Sequence, residues 1–219
     1  MITLEQALAE PPPPPLIHYP ESDGQPMGDN DQQRRWMMKI IDNLMALFAG
    51  RQDVYVSGNL FWYPVEDNNR IVQAPDAMVV FGRPPGQRRS YKQWEEDGLA
   101  PQVVFEVISP SNTNEEMIRK RAFYQKHGVE EYYVYDPEEG TLEGWLGSST
   151  ALQPIAKMDG WRSPRLGISF HMKRDGLEIR FPDGRPFAEA WESIARSELL
   201  AAKLRALGID PENESRNGG

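Results

Sequence analysis

Residues 102–108 read QVVFEVI, the most apolar run in the chain, and they constrain its fold more than any other segment. An apolar run this short, stopped by Pro110, reads as a strand buried on both faces at the centre of a sheet. Such a strand needs partners on both edges and a covering layer on each face, so the chain is expected to be α/β (α+β), a mixed sheet flanked by helices. One residue breaks the run. Glu106 shares a pleat face with Val104 and Ile108, and an unpaired ionised carboxylate there is costly to desolvate. A cation, a hydrogen-bond network or a raised pKa would compensate it. So would an arginine partner, or a strand end that reaches water.

The flanking segments supply the rest of such a domain. Residues 31–48 place Trp36, Met37, Ile40, Ile41, Leu44, Leu47 and Phe48 at helical spacing, with Asp29, Asn30 or Asp31 as cap and Gly50 as stop. Residues 53–63 read as a strand bent at Ser57-Gly58-Asn59, and Met78 to Phe81 as another. Gly82 to Gly98 is a polar connection. After Pro110, Thr113 and Glu116 fit a capping box that opens a helix running to about His127. Met117, Ala122, Phe123 and Tyr124 are its inward candidates, and Gly128 is its left-handed stop. EYYVY at 131–135 is the next strand, closed by Asp136-Pro137. From 140 onward short strands alternate with Asp-Gly turns, an antiparallel C-terminal extension of the sheet. The predicted organisation is a Pro-rich arm at 1–28 with a polyproline rod from Pro11 to Pro15, a main domain at 29–186, a helix at 187–209 and a frayed tail at 210–219. Leu199, Leu200, Leu204 and Leu207 suit that helix either to dimerisation or to packing on its own domain.

With 219 residues and 39% hydrophobic content the chain has material for one core. It has no cysteine, which excludes disulfides and thiolate-bound zinc. Its start has no basic segment leading an apolar one, so it does not read as a signal peptide, and no apolar run reaches the ~18–20 residues of a membrane span. Together these place the protein in the cytoplasm, away from membranes. The net charge of −9 argues against a nucleic-acid partner at first sight. However, residues 1–33 hold six acids and no base, and residues from 187 onward hold six acids and four bases. The stretch between them is left at −1, close enough to neutral to carry a basic face.

Two more residues complete a candidate site. Asp76 follows Pro75 at the mouth of a strand. By itself Pro-Asp is turn chemistry, but an acid there and a second inside a neighbouring strand can share one hard cation, with the Val107 carbonyl as a further oxygen. Lys120 lies on the helix that follows Glu106. Its spacing alone suggests an i,i+4 pair with Glu116. His18, His127 and His171 have no metal-ligand spacing; His127 suits a helix C-terminus. Ser109-Pro110-Ser111 is not a nucleophile elbow.

The stretch FEVISPSNTNEEMIRKRAFYQKHGVEEYYVYDP resembles the signature of the Uma-two family of bacterial restriction-endonuclease-like proteins, assigned to the PD-(D/E)XK nuclease superfamily. The matching pieces are Pro75-Asp76, Glu106 to Ser111, Lys120 with Tyr124, Gly128 to Tyr133, and Asp136-Pro137. The resemblance covers about residues 30–140. It departs from the superfamily in two places. Ile108 stands where the lysine two residues after the second acid is expected, so Lys120 on the helix is the position that fits. The early helical Glu has no evident counterpart; Asp29, Asp31 and Gln32 are the acids and amide on offer. Tyr133 stands where the family often has Trp.

The resemblance implies a restriction-endonuclease-like fold and metal-assisted hydrolysis of a nucleic-acid backbone, DNA first. Asp76, Glu106 and the Val107 carbonyl would hold Mg²⁺ or Mn²⁺, and Lys120 would steer water or stabilise charge on phosphorus. Arg83, Arg88, Arg89, Lys92, Arg119 and Arg121 are candidate phosphate contacts, each also readable as solvated surface. A homodimer would match the symmetry of a duplex cutter. The alternatives are a catalytically inactive nuclease-fold binding or scaffold protein, favoured by the broken triplet, and a metallohydrolase of small phosphorylated substrates, which would need a deep closed pocket.

Overall fold

The computed structural model describes residues 17–21, 30–147, 151–207 and 209–210. The expected polyproline rod, Asp29 and all but the first residue of the expected tail lie outside the described residues. Helix α1 (Asp31–Leu47) begins at Asn30, whose side chain accepts from the Gln33 amide and satisfies one of the helix's orphan donors. Strands β1 (Val54–Ser57), β2 (Trp62–Tyr63), β3 (Ala77–Phe81), β4 (Tyr91–Lys92) and β5 (Val103–Val107) follow. Helix α2 (Asn114–Lys126) then leads to β6 (Glu131–Asp136), β7 (Thr141–Gly147), β8 (Leu152–Pro154), β9 (Ser169–Lys173), β10 (Gly176–Arg180) and α3 (Ala190–Ala206).

The main sheet has the order β1-β3-β5-β6-β7-β8. All neighbours are antiparallel except β5 and β6, which run parallel with α2 as their crossover. Every residue of β5 is buried, as its composition requires of a central strand. The pleat sorts the strand residues into two cores. Val103, Phe105 and Val107 join Met37, Ile40 and Leu44 of α1, and Phe170, Leu177 and Ile179 of the β9–β10 hairpin. Val104 faces the other way, with Tyr124 of α2, Tyr132, Val134 and Trp145. Glu106 lies on this second face by the same alternation. Thr113 caps α2 by accepting from the Glu116 amide, and Gly128 beyond its end has φ +95°.

Three elements differ from the sequence reading. The segment 53–63 is not one bent strand: after Asn59, whose φ is +49°, the chain leaves the main sheet and Trp62–Tyr63 pairs in parallel with Tyr91–Lys92. The β9–β10 hairpin forms its own sheet against the α1 face instead of lengthening the main one. Helix α3 has a capping box between Glu189 and Glu192, yet buries none of its described side chains. Its apolar residues Trp191, Ile194, Leu199 and Leu200 are exposed, as is Leu207 at its C-cap, whereas Leu204 is half-buried. The described part of the N-terminal arm lies over the small sheet. There Tyr19 packs on Tyr63 and Trp94, and the Tyr63 hydroxyl donates to the Pro20 carbonyl at 2.6 Å. No helix of the described residues is long and apolar enough to cross a membrane.

Candidate active site

The ladder between β3 and β5 ends at Ala77 and Phe105, because β3 starts one residue after Asp76. The backbone N–H of Val107 therefore has no partner on β3, and the Asp76 carboxylate takes it at 2.7 Å. The Val107 carbonyl accepts from Gln33 Nε2 of α1 at 3.0 Å. Asp76 is itself fixed from behind. Asn59 donates to the Pro75 carbonyl at 2.8 Å, and a Cβ on Gly58 would sit 2.2 Å from the Asp76 carbonyl oxygen. Only glycine allows that approach.

Glu106 is 2% exposed, and both of its oxygens are engaged from α2. Lys120 Nζ lies 2.8 Å from Oε2, and the Tyr124 hydroxyl donates to Oε1 in a short hydrogen bond. Lys120 and Tyr124 are one helical turn apart, so both reach one spot on the sheet below. Lys120 also stands 3.8 Å from Glu116, so the pair suggested by spacing exists, but as the longer of its two contacts. Burial alone would lower the Lys120 pKa. The Glu106 carboxylate outweighs it, helped by Asp76 and Glu116, and holds the ammonium above the ordinary lysine range. Burial, with Glu106 next, pushes the Tyr124 phenol well above its usual value, so it remains a donor.

The structure thus brings Asp76, Glu106, Val107 and Lys120 to one place at the end of β5. Two of the participants were not singled out as site residues from the sequence. Tyr124 appeared only as a motif residue and a core candidate, although its i,i+4 spacing from Lys120 was visible. Gln33 had no such signal, since its partner is a main-chain carbonyl. Of the α1 residues proposed instead, Asp31 is paired with Arg34 at 2.9 Å, and Gln32 donates to the Pro137 carbonyl at 3.1 Å.

The basic candidates divide in two. Arg83 and Arg88 are committed inside the fold: both clamp Glu96, at 2.8 and 2.6 Å, Arg83 also pairs with Asp97, and the Arg88 guanidinium lies 3.9 Å over the Tyr55 ring. Arg89 and Arg119 are exposed, with Glu21 at 3.2 Å and Glu115 at 3.7 Å as their pairs. Lys92 pairs with Glu95 at 3.0 Å, and Arg121 lies 4.9 Å over the Trp145 ring. His127 caps α2 with its ring 4.6 Å from Phe123.

Asp76, Glu106 and the Val107 carbonyl are hard oxygen donors of the kind Mg²⁺ takes, and Mg²⁺ commonly binds through one or two carboxylates with waters and phosphate completing its shell. The donor chemistry therefore fits the ion. Among the described residues no group of three or more His, Cys, Asp or Glu side chains is placed to hold a metal.

Comparison with known proteins places the chain. Among curated proteins, acetyl-CoA acetyltransferase of Schizosaccharomyces pombe is 27% identical over 144 residues, covering 56% of this chain. The match spans 34% of that enzyme, about a third of its length. Among solved structures, a "putative nuclease" from Anabaena variabilis shares 14% identity and aligns with a TM-score of 0.48 over 63% of this chain and 75% of that one. The Uma2 family model, described as "Putative restriction endonuclease", matches residues 14–167, which is most of the chain and includes every residue of the site above. The chain belongs to the Uma2 family.

Proposed function

We propose that the protein is a metal-dependent endonuclease that hydrolyses phosphodiester bonds of nucleic acid, DNA first, with residues 29–186 as a restriction-endonuclease-like domain. The carrying observation is the convergence on Glu106: a carboxylate inside a buried strand, met at 2.8 Å by a lysine that the helix supplies in place of the missing strand lysine. Asp76, Glu106 and the Val107 carbonyl are the residues that would hold Mg²⁺ or Mn²⁺. The bound ion would polarise a phosphoryl oxygen and acidify a water.

The chain's own groups have narrower roles. Lys120 stays protonated, so it serves as a donor to a phosphate oxygen carrying developing charge and not as a general base. Tyr124 holds Glu106 in one rotamer through a donor that does not titrate in the working range. Gln33 orients the Val107 carbonyl. The exposed Arg89 and Arg119 suit backbone contacts, whereas Arg83 and Arg88 are structural. On this reading the protein works in the cytoplasm, and a cut through both strands calls for a two-fold pair of chains.

The test is plasmid cleavage with Mg²⁺ or Mn²⁺, comparing wild type with Asp76→Ala, Glu106→Ala and Lys120→Ala. Nicking by wild type that all three substitutions abolish supports the reading; nicking that survives them belongs to something else. A second reading, an inactive nuclease-fold binding protein, draws on the fact that both Glu106 oxygens are already engaged. Nucleic-acid binding by wild type without cleavage under either metal would select it.

A further inference from the structure

Helix α3 is tied to the body at its base and uncovered beyond it. Phe187 is buried there, and Asn43 of α1 exchanges two hydrogen bonds with Ala188, donating to its carbonyl at 2.8 Å and accepting from its amide at 3.1 Å. The capping box of Glu189 and Glu192 then opens the helix. Its 17 residues run for about 25 Å and bury no described side chain. A lone helix of that length is marginal in water unless one face is packed. Trp191, Ile194, Leu199, Leu200 and Leu207 are 58–76% exposed, and large apolar groups exposed together mark an interaction surface.

One face of the helix has the spacing of a coiled-coil seam. Ile194, Ser197, Ala201 and Leu204 follow one another at steps of three, four and three, with Leu200 and Leu207 along one edge. Charge indicates what covers it. Glu189, which also lies 3.8 Å from Arg35, and Glu192 open the segment. Lys203 and Arg205 stand in the last turn, and Arg196 and Glu198 between them cancel. The segment is thus acidic at one end, basic at the other and neutral as a whole. A parallel neighbour of the same sequence would set like charge against like. An antiparallel one sets acidic end against basic end, once at each end of the pair. Two antiparallel macrodipoles favour the same arrangement. Nucleic acid finds no net positive charge here. We propose that α3 pairs antiparallel with α3 of a second copy of this chain, about a two-fold axis, with Ile194 level with Leu204 of the second copy. The pairing is independent of the nuclease reading, since α3 contributes nothing to the Asp76–Glu106 site.

The test is sedimentation of the full chain without nucleic acid, which should show a dimer that dissociates on dilution. Ile194→Glu with Leu200→Glu puts charge into the seam from two exposed positions and should weaken the dimer at least about 100-fold. Leu199→Glu, about half a turn away on the helix, should leave it intact. Lys203→Glu with Arg205→Glu makes both ends acidic and should weaken it about tenfold or more. Thermal melts check that each variant keeps its fold. Orientation is read by cross-linking, because the chain has no cysteine of its own. Under oxidant, Ile194→Cys combined with Leu204→Cys should join two chains, whereas Ile194→Cys alone should not. A monomer at about 100 μM, a dimer indifferent to the seam or charge substitutions, one broken equally by Leu199→Glu, or cross-linking through Ile194→Cys alone would overturn the proposal. None of these readouts involves cleavage, so the plasmid assay can fail while the pairing stands, and the reverse.

Discussion

Replacing Lys120 by Met removes the ammonium that faces Glu106 at 2.8 Å while keeping most of the side chain's length and packing. The two side chains are 15% and 2% exposed, so the pair is largely desolvated. Breaking such a pair from one side strands the remaining charge and costs about 3–5 kcal/mol. Tyr124 still donates to Glu106 after the substitution, which puts the expected loss near the lower figure, about 3 kcal/mol. The reverse substitution, Glu106→Gln, removes the charge but keeps an acceptor for Tyr124, and Lys120 can lean toward Glu116, 3.8 Å away. It should cost about 1–2 kcal/mol. The double variant strands no charge and should lose about 2 kcal/mol, so the coupling within the cycle comes to about 2–3 kcal/mol.

Urea denaturation reads this directly. With a slope of about 2 kcal/mol per molar, Lys120→Met should lower the midpoint by about 1.5 M. The exposed Arg119–Glu115 pair, 3.7 Å apart on the same helix, is the internal control and should couple by only about 0.3–0.5 kcal/mol. A Lys120–Glu106 coupling no larger than that control would show an amine spending its time in solvent, and the argument for a built site would fall. The pH dependence has a definite sign. Lys120 titrates higher in the folded protein than unfolded, so its contribution is complete below the ordinary lysine pKa and is lost only as the solution becomes strongly alkaline.

Four further outcomes are expected. Gly58→Ala would drive a methyl into the Asp76 carbonyl and should lower cleavage more than about tenfold together with the melting temperature; unchanged activity would mean that Asp76 does not need this support. Arg88→Ala should cost about 2–4 kcal/mol of stability, since it leaves Glu96 with less of its cationic clamp in a site only 12–13% exposed, yet leave the salt dependence of nucleic-acid binding unchanged. Arg119→Ala should do the opposite, reducing the salt slope by about one with little change in unfolding. Burial, with Lys126 adding, lowers the His127 pKa, so the folded state favours the neutral ring. Stability should therefore drop as pH falls below the ordinary histidine range and level off under the folded value, and His127→Phe should flatten that segment of the profile.

Sequence reading went furthest where a pattern has one physical cause. The alternation through Val104, Glu106 and Ile108 was enough to place the carboxylate on a buried face, and the covering helix followed from the capping box at Thr113 and the stop at Gly128. Lys120 shows the boundary. Spacing along a helix tells which of its own residues are neighbours, here Glu116, but not which strand the helix lies against, and the nearer contact came from the strand. Arg83 and Arg88 were indistinguishable from surface cations because their partner, Glu96, is brought to them by the fold of an irregular connection. The small β2–β4 sheet and the detached β9–β10 hairpin depend on which edge two short segments find, and strands of two to five residues hold too little pattern to say.

Asp76 has two duties that a single deletion confuses. It closes the last open rung of the ladder by accepting from the Val107 amide, and it brings a carboxyl group to the end of β5 beside Glu106. Alanine removes both, so loss of cleavage in Asp76→Ala would not by itself separate a collapsed strand end from a lost carboxylate. Asparagine keeps an oxygen for the amide and discards only the charge. An Asp76→Asn protein that melts like wild type and no longer cuts would assign the loss to chemistry instead of architecture.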